Sequence, residues 1–152
     1  MIDIERVRAD DPRIVPVIER HVRLMDASTA DPDACHRLDL AGLLAPHITF
    51  FGGFAPDAAC AVGIGAYAHF GDWGEVKSMH VVDEYRGRGI SKLVLDAIEQ
   101  AAREQGAATL RLETGATFAA ALALYERAGF EPCGPFGEYS EHPFSRFLQK
   151  AL

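Results

Sequence analysis

Residues 75–103, EVKSMHVVDEYRGRGISKLVLDAIEQAAR, constrain this chain more than any other stretch. From Glu75 to Val82, the apolar residues Val76, Met79, Val81 and Val82 sit among polar ones, and the β-branched content predicts a strand. Arg86-Gly87-Arg88-Gly89 follows. From there Ile90, Leu93, Val94, Ala97, Ile98 and Ala101 recur at the spacing of one helix face. A glycine turn that opens a helix leaves unpaired N–H groups at the positive end of the helix dipole, a natural seat for a phosphate. Arg86 and Arg88 add positive charge beside it, and Gly87 and Gly89 let the backbone come close to a ligand. Two familiar phosphate loops are excluded. The dinucleotide pattern G-x-G-x-x-G fails at Lys92, and no Gly-Lys-Ser/Thr follows to make a P-loop.

Bulk properties narrow the field further. At 152 residues the chain suits one domain with a substantial core, 1–152, and 49% hydrophobic with 24% charged residues is ordinary for a soluble protein. A net charge of −7 argues against nucleic acid as a partner and tolerates a cationic amine. Cys35, Cys60 and Cys133 are odd in number with no C-x-x-C, as expected of reduced cytoplasmic thiols. Charge from the first residues argues against a secretory signal. Residues 49–70 are almost free of charge, but Gly52, Gly53, Pro56, Asp57, Gly63 and Gly65 interrupt them, so a hairpin is expected and no membrane span. The six histidines show no metal-ligand spacing, and no metal is expected. Nothing ties a cysteine to a nearby base as a nucleophile would require.

The remaining elements follow from period and punctuation. Ile2–Arg8 reads as a first strand, and Asp11-Pro12 as the cap and first residue of a helix through about Met25. A short helix is expected around 34–44, then strands over 47–54 and 59–69. Beyond Gly106 come a strand over 108–113, a helix over 118–128 closed by Gly129, a short strand over 130–133 and a last one over 144–152. The helix over 118–128 puts Phe118, Ala121, Leu122, Tyr125 and Ala128 on one face, so periodicity alone makes Tyr125 a core aromatic. Glu138, Tyr139, Glu141 and His142 read as a polar surface loop within reach of a substrate.

Several of these segments resemble the GNAT N-acetyltransferase superfamily. Arg86, Gly89 and Ser91 occupy the positions of its pyrophosphate loop R-x-x-G-x-[GA], Ser91 standing where Gly or Ala is usual. Ala121, Leu124, Tyr125, Gly129 and Phe130 match A-x-x-L-Y-x-x-x-G-F, the segment whose tyrosine lies beside the cofactor sulfur in that family. E-V-K-S-M, L-E-T-G, L-Y-E-R-A-G-F and C-G-P-F-G together resemble the small bacterial acetyltransferases called YsnE-like. The resemblance implies an α+β, GNAT-like single domain: a mixed, mostly antiparallel sheet of about seven strands with helices on both faces. It also implies acetyl-CoA as co-substrate, held by Met79, His80 and Val81 along the strand and by Arg86, Gly87, Arg88, Gly89, Ile90 and Ser91 at the loop. Tyr125 would then protonate the departing thiolate.

The chemistry sets further demands. A free primary amine of pKa about 10 is almost wholly protonated at pH 7, so the site must remove a proton before attack. By resemblance Glu75 is the strand glutamate that serves as general base; it is expected on the same strand face as Lys77, Met79 and Val81, with His80 on the opposite face. Glu75, His80 or a water remain open as that base. The acceptor is an amine, of a small molecule or a protein; a homodimer is left open. The expected function is acetyl-CoA-dependent N-acetylation, and the alternative is a non-catalytic CoA-binding regulatory module on the same fold.

Overall fold

The computed structural model describes residues 1–28 and 39–152. The elements run β1 (Asp3–Val7), α1 (Val15–Ser28), α2 (Leu40–Leu43), β2 (Ile48–Phe54), β3 (Gly63–Phe70), β4 (Trp73–Val81), α3 (Ile90–Glu104), β5 (Thr109–Gly115), α4 (Ala119–Arg127), β6 (Glu131–Pro132) and β7 (Ser145–Ala151). The seven strands form one sheet in the order β1-β2-β3-β4-β5-β7-β6. Every neighbouring pair is antiparallel except β4 and β5, which are parallel. This is the mixed, mostly antiparallel sheet that the family resemblance implies.

Helices cover both faces. On one, α3 buries Ile90, Val94, Leu95 and Ile98 against β2, β3 and β4. The approach is close because β3 offers glycines there: a Cβ on Gly63 would lie 2.6 Å from Ile90 Cγ2, and one on Gly65 2.6 Å from Val94 Cγ1. On the other face α1 packs on β3 and β4. Asp11 does organise the start of α1, its Oδ1 accepting the Arg13 N–H at 2.8 Å, but the regular helix begins only at Val15. Of the helix expected over 34–44, residues 34–38 lie outside the described residues; the part described is helical only over Leu40–Leu43.

One irregularity in β4 redirects its side chains. Across β3 and β4, Ile64 pairs with His80 and Ala66 with Lys77, so two steps on β3 (66 − 64) answer three on β4 (80 − 77). The extra residue is a β-bulge, and Ser78 within it has φ of 57°, a left-handed backbone otherwise seen only at glycines among the described residues. The expected alternation along β4 therefore fails. Met79 and Val81 do not share a face with Glu75; they point toward α3, where Met79 Sδ lies beside Val94 and Ile98 around Gly65 and Val81 lies beside Ile90. His80 is not opposed to Glu75 but joins Glu75 and Lys77 on the α1 face, where its ring meets His21. A bulge shifts the two-residue period by one, and every side chain beyond it changes sides.

Candidate active site

The parallel pair β4/β5 holds only over Trp73–Thr109, Gly74–Leu110 and Glu75–Arg111. Beyond these residues β4 continues to Val81 and β5 to Gly115 without pairing, so the two strands part in the middle of the sheet. The opening is a cavity of about 1220 Å³ whose walls come from β4, β5, α1, α3 and α4. That is more than the roughly 300–1,000 Å³ of a site for a drug-sized ligand, and suits a long one.

At one end stands the glycine turn. Gly87 and Gly89 adopt φ of 77° and 76°, and Gly89 caps α3 without any side-chain hydrogen bond. The N–H groups of residues 87–92 find no protein acceptor among the described residues, which leaves them aimed outward at the positive end of a 15-residue helix. No acidic residue occupies the first turn of α3 to compete for them. Arg86 is anchored to Asp83 at 3.2 Å, and the Arg88 guanidinium lies 4.5 Å over the Tyr85 ring. The turn thus fits a pyrophosphate: backbone donors in the middle, with the Arg86 guanidinium at the rim.

Toward the other end, on the α1 face, Glu75 and Lys77 stand side by side. Glu75 is 6% exposed. Its Oε2 accepts from Lys77 Nζ at 3.0 Å and from the Tyr139 hydroxyl at 2.5 Å, and Lys77 Nζ also donates to that hydroxyl at 3.0 Å. Tyr139 was expected in a surface loop; instead it reaches 64 residues back along the chain to close this cluster. Phe136 and Phe147 pack against its ring edge-on and tilted, at 5.1 and 5.7 Å, and fix its direction. Burial, with the Glu75 carboxylate beside it, pushes the Tyr139 hydroxyl well above the usual tyrosine range, so it stays a neutral donor.

His80 lines the cavity beyond the bulge. Its Nδ1 lies 3.3 Å from Nδ1 of His21 on α1, one ring donating and the other accepting. Burial lowers its pKa below the ordinary 6.5; Arg86 and Arg20 lower it further and Asp83 opposes them. The neutral ring is therefore favoured on folding, and its contribution to stability is complete above pH 6.5 and lost as pH falls through the folded value. Melting temperature should decline from pH 7 toward pH 5, and part of that decline should vanish in His80→Gln; identical slopes in the two proteins would count against the assignment.

Tyr125 on α4 is packed in the core and also borders the cavity. The ring is 5% exposed and packs edge-on against Phe130 at 5.6 Å, as a core aromatic would. It also forms part of the cavity wall, and its hydroxyl has no hydrogen-bond partner among the described residues. Burial drives its pKa far above the usual range, which keeps the proton on oxygen. Met79, His80, Val81, Arg86, Gly87, Gly89, Ile90 and Ser91 line the same cavity as Glu75 and Tyr125, so the structure brings nearly all the expected site residues together; Arg88 stands outside it over Tyr85. Of the two residues that meet Glu75, Tyr139 belongs to the loop that the sequence puts within reach of a substrate, and Lys77 lies two residues along the same strand. A lysine alternating with a glutamate on a strand was the one local hint.

Comparison with known proteins places this geometry in a family. Residues 18–130 match the model of the Acetyltransferase (GNAT) family, and the chain belongs to it. An "IAA acetyltransferase" of Azospirillum brasilense is 43% identical over 119 residues, 77% of this chain and 76% of that protein. The uncharacterised N-acetyltransferase YsnE of Bacillus subtilis (strain 168) is 36% identical over 143 residues, 92% of this chain and 93% of its own. Among solved structures, a candidate acyl-CoA N-acyltransferase from Klebsiella pneumoniae superposes with a TM-score of 0.83 at 27% identity, covering 100% of this chain and 98% of that one. The chain is an acetyltransferase of the GNAT fold.

Proposed function

We propose that the protein transfers the acetyl group of acetyl-CoA to a primary amine by direct attack in a ternary complex. The observation that carries this reading is the parting of β4 and β5, with free backbone donors at one end and a buried carboxylate toward the other. Acetyl-CoA supplies the thioester; the residues of this chain do the rest. The turn at residues 86–91 holds the pyrophosphate, and backbone groups at Met79 and Val81 hold the pantetheine arm as an added strand would be held. One of those N–H groups polarises the thioester carbonyl. Glu75 takes the ammonium proton through Oε1, since Oε2 is already occupied by Lys77 and Tyr139. Tyr125 offers its proton to the sulfur as charge gathers there, and the second proton that the nitrogen sheds on becoming an amide passes through water to restore the phenol. Burial raises the Tyr125 hydroxyl's pKa, so the group is still protonated when the sulfur departs.

Titration of acetyl-CoA into the purified protein tests the binding half. In Gly89→Val a Cβ meets nothing in the protein within 4 Å, so the substitution strains the backbone at φ of 76° and obstructs only a ligand lying against the turn. Affinity should fall more than tenfold, about 1.4 kcal/mol or more. Wild-type protein that gives no heat with acetyl-CoA would end the reading. Release of free CoA across an amine library tests the transfer half, and binding without release would leave a CoA-binding regulatory module.

A further inference from the structure

The Glu75–Lys77 pair exceeds what a simple amine acceptor requires. An alkylammonium needs a carboxylate, and the slot has Glu75, with Glu113 of β5 near enough to Tyr139 to influence its hydroxyl. Lys77 has no task in that scheme and would repel the incoming cation. Its side chain is only 11% exposed and that of Glu75 7%, so both charges have been taken out of water. A buried ion pair contributes little to stability over a well-packed apolar pair of the same volume, and this one lines a cavity in place of sealing a core.

Each partner also retains unused capacity. Lys77 Nζ has three donors: one goes to Glu75 Oε2 and one to the Tyr139 hydroxyl, and the third has no acceptor among the described residues. Glu75 Oε1 likewise takes no hydrogen bond among the described residues. The wall therefore presents one open anionic acceptor and one open cationic donor, held 3.0 Å apart at their paired atoms by neighbouring positions on one strand face.

Resting on the acetyl-transfer reading, we infer that the acceptor is a zwitterion, an α-amino acid or close analogue, whose ammonium seats against Glu75 and whose carboxylate seats against Lys77. An ammonium and a carboxylate borne on one carbon are the complement of that pair. Bound head to tail they give each buried charge a second opposite neighbour and fill both open positions. Lys77 is then a specificity-determining residue, and Tyr139, hydrogen-bonded to both side chains, is a positioning residue that holds the pair at its spacing.

The test uses matched acceptors: the common L-amino acids, their decarboxylated amines, and their methyl esters. Esters are the sharper control, because an ester amine is less basic than that of the free acid. If supply of neutral amine governed the rate, the ester would win; if the carboxylate is recognised, the acid wins. At least one amino acid should exceed its amine and its ester by about 100-fold or more in kcat/KM, because a site built for a polar group is left unpaired when the group is missing. Titration into CoA-saturated protein should give heat with that acid and none with its two partners. Lys77→Met should bring the three acceptors within a few-fold of one another, and Lys77→Arg should restore the preference for the acid. The wild-type panel decides even if Lys77→Met fails to fold. Equal use of acids, amines and esters overturns the inference and leaves acetyl transfer standing. So does acetyl-CoA binding with no amino acid bound or acetylated. Loss of acetyl-CoA binding itself would remove the acetyl-transfer reading, and this one with it.

Discussion

Glu75→Gln should lower turnover at pH 7 by about 10²-fold or more while leaving acetyl-CoA affinity nearly unchanged. The substitution is nearly isosteric, and the new carbonyl can still accept from Lys77 and Tyr139, which now share Oε2 of the carboxylate. What disappears is the proton acceptor. At pH 7 roughly one in a thousand molecules of an amine with pKa about 10 is neutral, and without a base the enzyme must wait for that fraction. Each pH unit gained should then raise the variant's rate about tenfold until the amine is mostly neutral, whereas the wild type should climb far less steeply. Parallel profiles from pH 6 to 9 with equal rates would take Glu75 out of the mechanism and return the task to His80 or water. Dissociation constants for acetyl-CoA, measured on the same preparations, separate this from damage at the glycine turn.

The stretch 75–103 was legible because two independent signals meet there, a strand period running into a helix period with glycines between them. The glycine turn is local, and so its residues could be named from sequence: φ at Gly87 and Gly89, and the absence of a side-chain cap on α3, are properties of a few adjacent residues. What escaped was set by partners far along the chain. The bulge at Ser78 depends on how β3 pairs with β4, and no feature of E-V-K-S-M-H says where the extra residue falls; the faces of Met79, Val81 and His80 were misassigned for that reason. Tyr139 meets Glu75 only because the 136–147 aromatic packing folds its loop back over the sheet. Gly63 and Gly65 could be read as interruptions of an apolar run, but their use, letting α3 lie close on β3, requires knowing that α3 lands there.

The same distinction between local and long-range information bears on Tyr125, whose periodicity and whose surroundings point in different directions. Tyr125→Phe keeps the ring that packs on Phe130 and removes only the hydroxyl. If the residue served the core alone, little should change, since that hydroxyl has no protein partner among the described residues to lose. Taking a lone polar atom out of a largely apolar wall would if anything stabilise the protein slightly. If instead the hydroxyl serves the departing sulfur, kcat should drop by about 10²-fold, the usual scale for loss of a positioned proton donor, with melting temperature and acetyl-CoA affinity held. Because burial holds the phenol's pKa far above its ordinary 10.0, the group stays protonated over the whole working range, so the loss should be constant from pH 6 to 9. That flat deficit is the signature to look for: Glu75→Gln is rescued by alkali and Tyr125→Phe is not. A Tyr125→Phe enzyme that melts and turns over like the wild type would return the residue to the core.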